Sequence, residues 1–322
     1  PGFIDAHFHL KNFGKRLQLL NLKGLSSLDD VINAIQAKVA HLSKGEWLIG
    51  FGWDQNLWPS KKYPVSDILN SLAPYNPIYL TRIDGHSAWV NDMAIKKSGL
   101  PLDEINNIDG GKIINGCIVV DNAMNCFKHC LPKDTKKQVK SWIKTAVLEA
   151  NKMGITGVHD AWQDSIIVDA IQELINEENF PIRCYGMLAG NDKKLLKKYF
   201  LNGHFDNTYL TIRSVKAFVD GALGSRGAAL HEPYCDDSNN CGLILISKEE
   251  FNQLAEQCFK YNFQLNTHAI GDRGNSYVLD CYGQHVKTDN DRRWRIEHAQ
   301  MVRDDDLLKF KEYNILPSMQ PS

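Results

Sequence analysis

The sequence predicts an α/β fold in which parallel strands alternate with helices. Short apolar runs alternate with longer stretches of helical period, and histidines recur where the apolar runs end. A length of 322 residues is also normal for a single α/β barrel. On these grounds alone the sheet is either closed as a TIM-type barrel or open and doubly wound.

Three helices are predicted by apolar spacing and capping residues. Apolar residues recur at helical spacing from 28 to 42, with Ser27 ahead of them as an N-cap. A second apolar face runs from 134 to 153. The S-x-x-E pattern at 247–250 is a capping box that opens a third helix.

The strands are predicted as short apolar runs bounded by glycine, proline or polar residues. In chain order they are 3–9, 155–159, 181–188, 211–219, 263–268, 293–298 and 315–319. Residues 43–130 interrupt the alternation of strands and helices, with several prolines and a β-like run at 78–82. The predicted division is therefore a barrel of 1–42 and 131–322 with a β-rich subdomain, 43–130, inserted after the first strand.

Composition restricts the partners and the compartment. Lys and Arg number 37 against 38 Asp and Glu, so no global charge favours nucleic acid or an anionic membrane. No apolar run approaches the roughly 20 residues of a membrane span. Eight cysteines without a C-x-x-C pattern indicate free thiols. We expect a cytoplasmic protein with a small-molecule substrate, no nucleic acid and no membrane, and homo-oligomerisation is left open.

Histidines mark one edge of the predicted sheet. His7 and His9 close the first strand as H-x-H, and residues two apart on a strand point to the same side. His159, His268 and His298 end three other predicted strands. A single histidine is more often a packed core residue, but the carboxyl ends of parallel strands meet at one edge. Together the strand-end histidines predict a metal site there.

Lys216 lies inside an otherwise apolar strand. Burying an ammonium is costly unless it is paired or chemically changed. Two interpretations stay open: the side chain snorkels to solvent, or its amine reacts with carbon dioxide to give a carbamate that bridges two divalent ions.

Several blocks resemble one family in the order that the family has them. Residues 1–10, with the pattern PGF-x-D-x-H-x-H, resemble the opening barrel strand of the amidohydrolase superfamily. Further blocks are similar to the branch near N-substituted formamide deformylases: 50–54, 84–91, 220–226, 268–273 and 296–300. The resemblance spans essentially the whole chain.

The resemblance implies a (β/α)8 metallohydrolase barrel that holds one or two divalent metals, commonly zinc. It assigns His7 and His9 as first-strand ligands and Lys216 as the carbamylated bridge. It assigns His268 and His298 as ligands on the fifth and sixth strands, and Lys216, His268 and His298 as the catalytic residues.

The resemblance also matches the seventh strand to 315–320, with two residues after it. We therefore expect a barrel truncated after strand seven. The family's eighth-strand aspartate and its flanking β-sandwich would lie outside this sequence, and strands one and seven would present unpaired edges.

Further side chains are candidates for contact with substrate, although packing or a structural ion pair is the alternative for most of them. They are His86, Trp53, Asp54, Trp89, Trp162, His159 and Arg226.

The expected reaction is hydrolysis of an amide or formamide-like C–N bond by metal-activated water. The alternatives are a deaminase or lactonase on the same barrel, or a non-catalytic metal-binding barrel.

Overall fold

The computed structural model describes residues 2–108, 111–224, 226–287 and 290–320. Two compact units divide the chain, Pro1–Gly14 with Lys136–Ser322, and Lys15–Thr135. We call them the barrel unit and the second unit.

The strands in chain order are β1 (Phe3–Phe8), β2 (Leu20–Asn21), β3 (Leu48–Trp53), β4 (Ile78–Arg82), β5 (Ser87–Val90), β6 (Gly111–Ile114), β7 (Ile118–Asp121), β8 (Ile155–Gln163), β9 (Arg183–Ala189), β10 (Phe205–Asp206), β11 (Leu210–Phe218), β12 (Gln264–Ala269), β13 (Arg295–His298) and β14 (Leu316–Ser318). The helices are α1 (Leu10–Gln18), α2 (Leu28–Val39), α3 (Ser66–Leu72), α4 (Asp92–Ser98), α5 (Leu102–Asn106), α6 (Lys136–Lys152), α7 (Ser165–Asn176), α8 (Lys193–Asn202), α9 (Lys248–Lys260), α10 (Asp272–His285) and α11 (Asp304–Glu312).

The sheet of the barrel unit is parallel along the order β1-β8-β9-β11-β12-β13-β14, and β10 pairs antiparallel with β11. In a flat sheet β1 and β13, five strands apart, would be separated by about 24 Å. Instead, Nδ1 of His7 on β1 lies 2.6 Å from Oε2 of Glu297 on β13. The sheet therefore curls into a nearly closed barrel, which confirms the predicted TIM-type fold and excludes the open sheet.

Helices cover the outer face of this sheet, and their apolar spacing explains their positions. The helix predicted at 134–153 is α6, and its buried face consists of Val139, Trp142, Ile143, Ala146, Val147 and Ala150. These residues recur at intervals of three and four, the period of one helix face. Ser247 caps α9 by accepting from Glu250 N at 3.2 Å, as the capping box predicts. No helix in the described ranges has the length and apolar character that a membrane crossing needs.

The second unit has a sheet of order β2-β3-β4-β5-β7-β6, in which β2, β3 and β4 are parallel and the other pairs are antiparallel. Helices α2 to α5 belong to it, so it is a mixed unit rather than only β-rich. Its first boundary also differs from the predicted one, because residues 15–42 lie in this unit. The reason is that β2 pairs with β3 and that Val31 and Ile35 of α2 are buried in the core of this unit.

Gly14 of α1 allows the close approach of α6. A Cβ at this position would overlap the backbone carbonyl oxygen of Trp142. Alanine normally stabilises a helix interior by about 1 kcal/mol relative to glycine, but overpacking against a backbone atom costs about 1–3 kcal/mol. We expect Gly14→Ala to lower the free energy of unfolding, measured by urea titration. Gly224→Ala is the control, since a Cβ there meets no heavy atom within 4 Å; a stabilised Gly14→Ala variant would contradict the packing argument.

Candidate metal centre

Four of the predicted histidines meet at one place in the barrel unit. His7 belongs to β1, His9 follows it, and His268 and His298 belong to β12 and β13. The ring centroids are 5.2 Å apart for His7 and His9, 4.7 Å for His7 and His298, and 4.6 Å for His268 and His298. All four rings are half-buried. We call these residues the histidine cluster.

Lys216 lies beside the histidine cluster, and its side chain is fully buried. Its Nζ has no hydrogen-bond partner among the described residues and lies 4.8 Å from the ring centroid of Phe218. Burial lowers the pKa of Lys216 to about 8, although the carboxylate of Glu297 opposes this shift. The snorkelling interpretation therefore does not hold, because no part of this side chain reaches solvent.

The protonation of the histidine cluster suits cation binding. Burial, with smaller contributions from His7 and Lys216, lowers the pKa of His9 to about 4. Burial also lowers the pKa of His268 to about 4, against the hydrogen bond that its ring makes with the carbonyl of Gly221. Both imidazoles are consequently neutral at pH 7, and a neutral imidazole keeps the lone pair that a metal ligand needs.

A buried ion pair orients His7. Oε2 of Glu297 lies 2.6 Å from Nδ1 of His7, and Oε1 lies 2.8 Å from Nη2 of Arg295. Burial alone would raise the pKa of Glu297, but the contacts with His7 and Arg295 outweigh it and hold the pKa at about 2. An ionised carboxylate can only accept, so Nδ1 of His7 donates to Glu297 and Nε2 would be the atom available to a metal.

A second buried carboxylate, Asp220, fixes the loop that follows β11. It accepts hydrogen bonds from the backbone amides of Ala229, Ile270 and Gly271 at 2.8–2.9 Å. Its Oδ1 also lies 3.5 Å from Nε2 of His268. Asp220 thus ties the loop to the end of β12 and holds one edge of the His268 ring.

His159 does not end its strand, contrary to the prediction, because β8 continues to pair with β9 as far as Gln163 and Leu188. Its Nδ1 accepts a hydrogen bond from Nη1 of Arg295 at 3.1 Å. Burial, and then the nearby guanidinium of Arg295, lower the pKa of His159. His159 is therefore held as a neutral acceptor by a cation inside the barrel.

Arg226, a candidate for a substrate carboxylate, is exposed and makes two hydrogen bonds to Asp236, at 2.7 and 3.1 Å. This geometry is the structural ion pair that the sequence left open as the alternative.

Four other candidates for substrate contact belong to the second unit. Trp53 and Trp89 are fully buried in its apolar core, with ring centroids 6.3 Å apart, which favours packing over contact with substrate. Asp54 accepts from Nη2 of Arg82 at 3.0 Å. His86 is exposed, and its Nδ1 lies 2.9 Å from Oδ1 of Asp121.

A small cavity of about 300 Å³ lies next to His9. Its lining includes Asp160, Trp162 and Phe218. Trp162 therefore lines a cavity, as expected of a pocket wall. Within the described ranges, no three His, Cys, Asp or Glu side chains are already arranged as a closed metal-binding group. The histidine cluster is thus a set of imidazoles gathered at one place rather than a finished coordination shell.

Two residues of this centre were missed at the sequence level. Arg295 lies within the predicted strand 293–298, and Asp220 within the family-like block 220–226, without a predicted role for either residue. Arg-Ile-Glu at 295–297 contained a usable signal, since charged residues two apart in an apolar strand share one face.

The amidohydrolase family model matches residues 1–322. The chain belongs to the amidohydrolase family. The chain is 29% identical over 347 residues to Protein LONG AFTER FAR-RED 3 of Arabidopsis thaliana, in a match that covers 100% of the chain and 58% of that protein. It is 24% identical over 321 residues to N-substituted formamide deformylase of Arthrobacter pascens, covering 93% of the chain and 58% of that protein.

A solved structure, an uncharacterized metal-dependent hydrolase from Pyrococcus furiosus, is similar to this chain with a TM-score of 0.80 and 28% identity. The match covers 100% of this chain and 64% of that one. The chain spans less than two thirds of the length of the curated relatives named above.

Asp160 should make stability depend on pH. Burial raises its pKa from 3.8 to about 7, against hydrogen bonds from Leu10 N and Gln163 Nε2. Between these two values the unfolded chain loses the proton and the folded chain keeps it, so this group's contribution to stability falls as pH rises and is constant above about 7. Urea titrations at several pH values should show Asp160→Asn gaining stability over wild type through this window.

The side-chain amide of the introduced asparagine can donate to Oε1 of Gln163, which is buried without a hydrogen bond in the described structure. Asp169→Asn, on the exposed face of α7, is the control and should show no such trend. A difference between Asp160→Asn and wild type that does not change with pH would contradict the assignment.

Glu297→Gln should weaken metal binding by about 10–100-fold, because a neutral amide orients His7 poorly and leaves Arg295 without its carboxylate. Competition with a chromophoric chelator measures the zinc affinity directly. Glu173→Gln, on the exposed face of α7, is the matched control. Equal zinc affinity in wild type and Glu297→Gln would show that the ion pair does not serve the centre.

Proposed function

We propose that this chain forms the metal-binding barrel of a hydrolase that cleaves an amide or formamide-like C–N bond. One observation supports it above all: a fully buried lysine amine, without a hydrogen-bond partner among the described residues, lies beside four half-buried imidazoles. Family membership and the metal-dependent hydrolase from Pyrococcus furiosus support the coarser part of this proposal, metal-dependent hydrolysis.

The donor set fits a divalent cation under one condition. Neutral imidazoles are good ligands for zinc, but an ammonium at Lys216 would repel the cation. Reaction of the neutral amine with carbon dioxide forms an N–C bond and releases one proton, and it replaces the positive charge by a carbamate anion. We propose this state of Lys216, with His7, His9, His268 and His298 as the other ligands.

A bound divalent cation, which we propose to be zinc, supplies an acidified water and a polarised carbonyl at neutral pH. The residues of the chain provide the geometry for this chemistry. Glu297 holds the proton on Nδ1 of His7, Asp220 holds the loop against His268, and Trp162 and Phe218 form an apolar wall next to His9.

A substrate screen on the purified, zinc-loaded protein tests the reaction class. We expect amine release from N-formyl amines or other small amides. Turnover of lactones or release of ammonia from amino-heterocycles, without amide cleavage, would replace the proposal by the corresponding alternative. Bound zinc with no turnover of any of these compounds would indicate a non-catalytic metal-binding barrel.

All eight cysteines are free thiols. Free thiols persist in a reducing compartment, and this supports our proposal of a cytoplasmic location.

Lys216→Met tests the proposed bridge, because methionine keeps the buried volume and removes the amine. We expect fewer metal ions per chain, measured by mass spectrometry of the metals, and loss of most hydrolysis. Thermal stability should be kept or raised, since an unpaired buried amine is replaced by an apolar group. Carbon-13 NMR in labelled bicarbonate should show a carbamate signal in wild type and none in the variant; full metal content in Lys216→Met would overturn the bridge.

A further inference from the structure

A large cavity separates two neighbouring helices of the barrel unit. It has a volume of about 720 Å³ and lies between α8 and α9, with the end of β11 as its floor. In the same ring of helices α6 packs on α7, and α10 packs on both α9 and α11, whereas α8 makes few contacts with α7 or α9. Its lining is mainly apolar and includes Leu196, Phe200, Leu245, Ile246 and Leu254.

The ring of Phe218 connects this cavity to the candidate metal centre. Its centroid lies 4.8 Å from Nζ of Lys216, 5.2 Å from the His268 ring and 5.1 Å from the Trp162 ring. Phe218 and Trp162 also line both the large cavity and the small cavity next to His9. Lys216 lines the large cavity as well, so a substrate chain in this cavity would reach the histidine cluster past Lys216 and this aromatic pair.

Two lysines give the cavity a positive rim. Lys193 and Lys197, one turn apart on α8, line it and expose their ammonium ends. Neither ammonium has a hydrogen-bond or ion-pair partner in the described part of the chain, whereas Lys140 of α6 pairs with Glu173 and Glu177. On the opposite side, Glu250 belongs to the capping box of α9, and the neutral amides of Gln253 and Gln257 follow it.

We propose that this cavity binds the apolar chain of an amide substrate whose far end carries a carboxylate. The substrates would be anionic amphiphilic amides, with the amide at the histidine cluster, the chain between α8 and α9, and the anion at Lys193 and Lys197. This proposal deepens the proposed hydrolase function and rests on it for the position of the amide. The apolar lining accounts for the chain, and the unpaired ammoniums account for the anion.

Binding of dansylated undecanoic acid to the purified protein tests the cavity without any need for hydrolysis. We expect saturable binding, seen as a rise in dansyl fluorescence. Lys193→Glu combined with Lys197→Glu should raise the Kd about tenfold, since two attractive charges become repulsive. Lys194→Glu combined with Lys198→Glu is the matched control, because these lysines are on the same helix and do not line the cavity.

A second pair of variants, one inside the cavity and one outside it, tests the apolar lining. Leu245 lines the cavity, whereas Leu243 does not, and both side chains are largely exposed. Leu245→Glu should weaken binding about tenfold and Leu243→Glu should not, because only the first places a charge against the apolar chain. The dansylated undecyl alcohol, which lacks the carboxylate, should respond to Leu245→Glu but not to the charge reversal at Lys193 and Lys197.

The outcomes separate this proposal from the proposed function. Absence of saturable binding, or equal effects in the cavity variants and their controls, would overturn the cavity proposal even if the protein hydrolyses amides. Equal affinity for the acid and the alcohol would overturn the anionic substrate class.

Hydrolysis supplies a second measurement. For anilides of dicarboxylic acids of increasing length, KM should fall with chain length in wild type at constant kcat. The trend should be lost in the variant reversed at Lys193 and Lys197. Probe binding without hydrolysis of any amide would overturn the hydrolase, and a KM independent of chain length would overturn the placement of the substrate chain.

Discussion

The buried amine of Lys216 is the constraint on which the rest of the candidate centre depends. An ammonium without a hydrogen bond in a barrel interior is strongly unfavourable, and its pKa is lowered accordingly. Burial lowers the pKa values of His9 and His268, and the same positive charge adds a smaller contribution in the same direction. A buried amine beside four imidazoles does not stabilise the fold. A carbamate at Lys216 together with a bound cation would remove the cost of burying the positive charge.

The buried ion pair of Arg295 and Glu297 acts on the same positive charge of Lys216. Its carboxylate partly offsets the positive potential near Lys216 and fixes the tautomer of His7. Its guanidinium in turn donates to His159. One buried ion pair thus orients two imidazoles on different strands, and this requires the sheet to be curled.

The helices around the barrel are packed closely in one place and leave a cavity in another. Close approach of helices is achieved by small residues such as Gly14 against α6, yet α8 and α9 leave a cavity between them. Apolar side chains around an open cavity lose the dispersion energy that close packing would give. We assign the cavity to a ligand because Phe218 and Trp162 line both this cavity and the one next to His9.

The sequence by itself determined the elements that depend on neighbours along the chain. Apolar spacing and serine caps predicted the helices that the structure has at 28–39 and 248–260, although the first was expected to reach residue 42. The two-residue period of a strand predicted that His7 and His9 point to the same side. The ordered family blocks determined the barrel, since they matched in sequence over the whole chain.

Tertiary structure alone decided the features that depend on residues far apart in the chain. The contact of His7 with Glu297 spans 290 positions, and the pairing of β2 with β3 moved residues 15–42 into the second unit. Likewise, only packing could bury Trp53 and Trp89. Local periodicity reports which face of a strand or helix is apolar, but it contains no information on which distant side chain that face will meet.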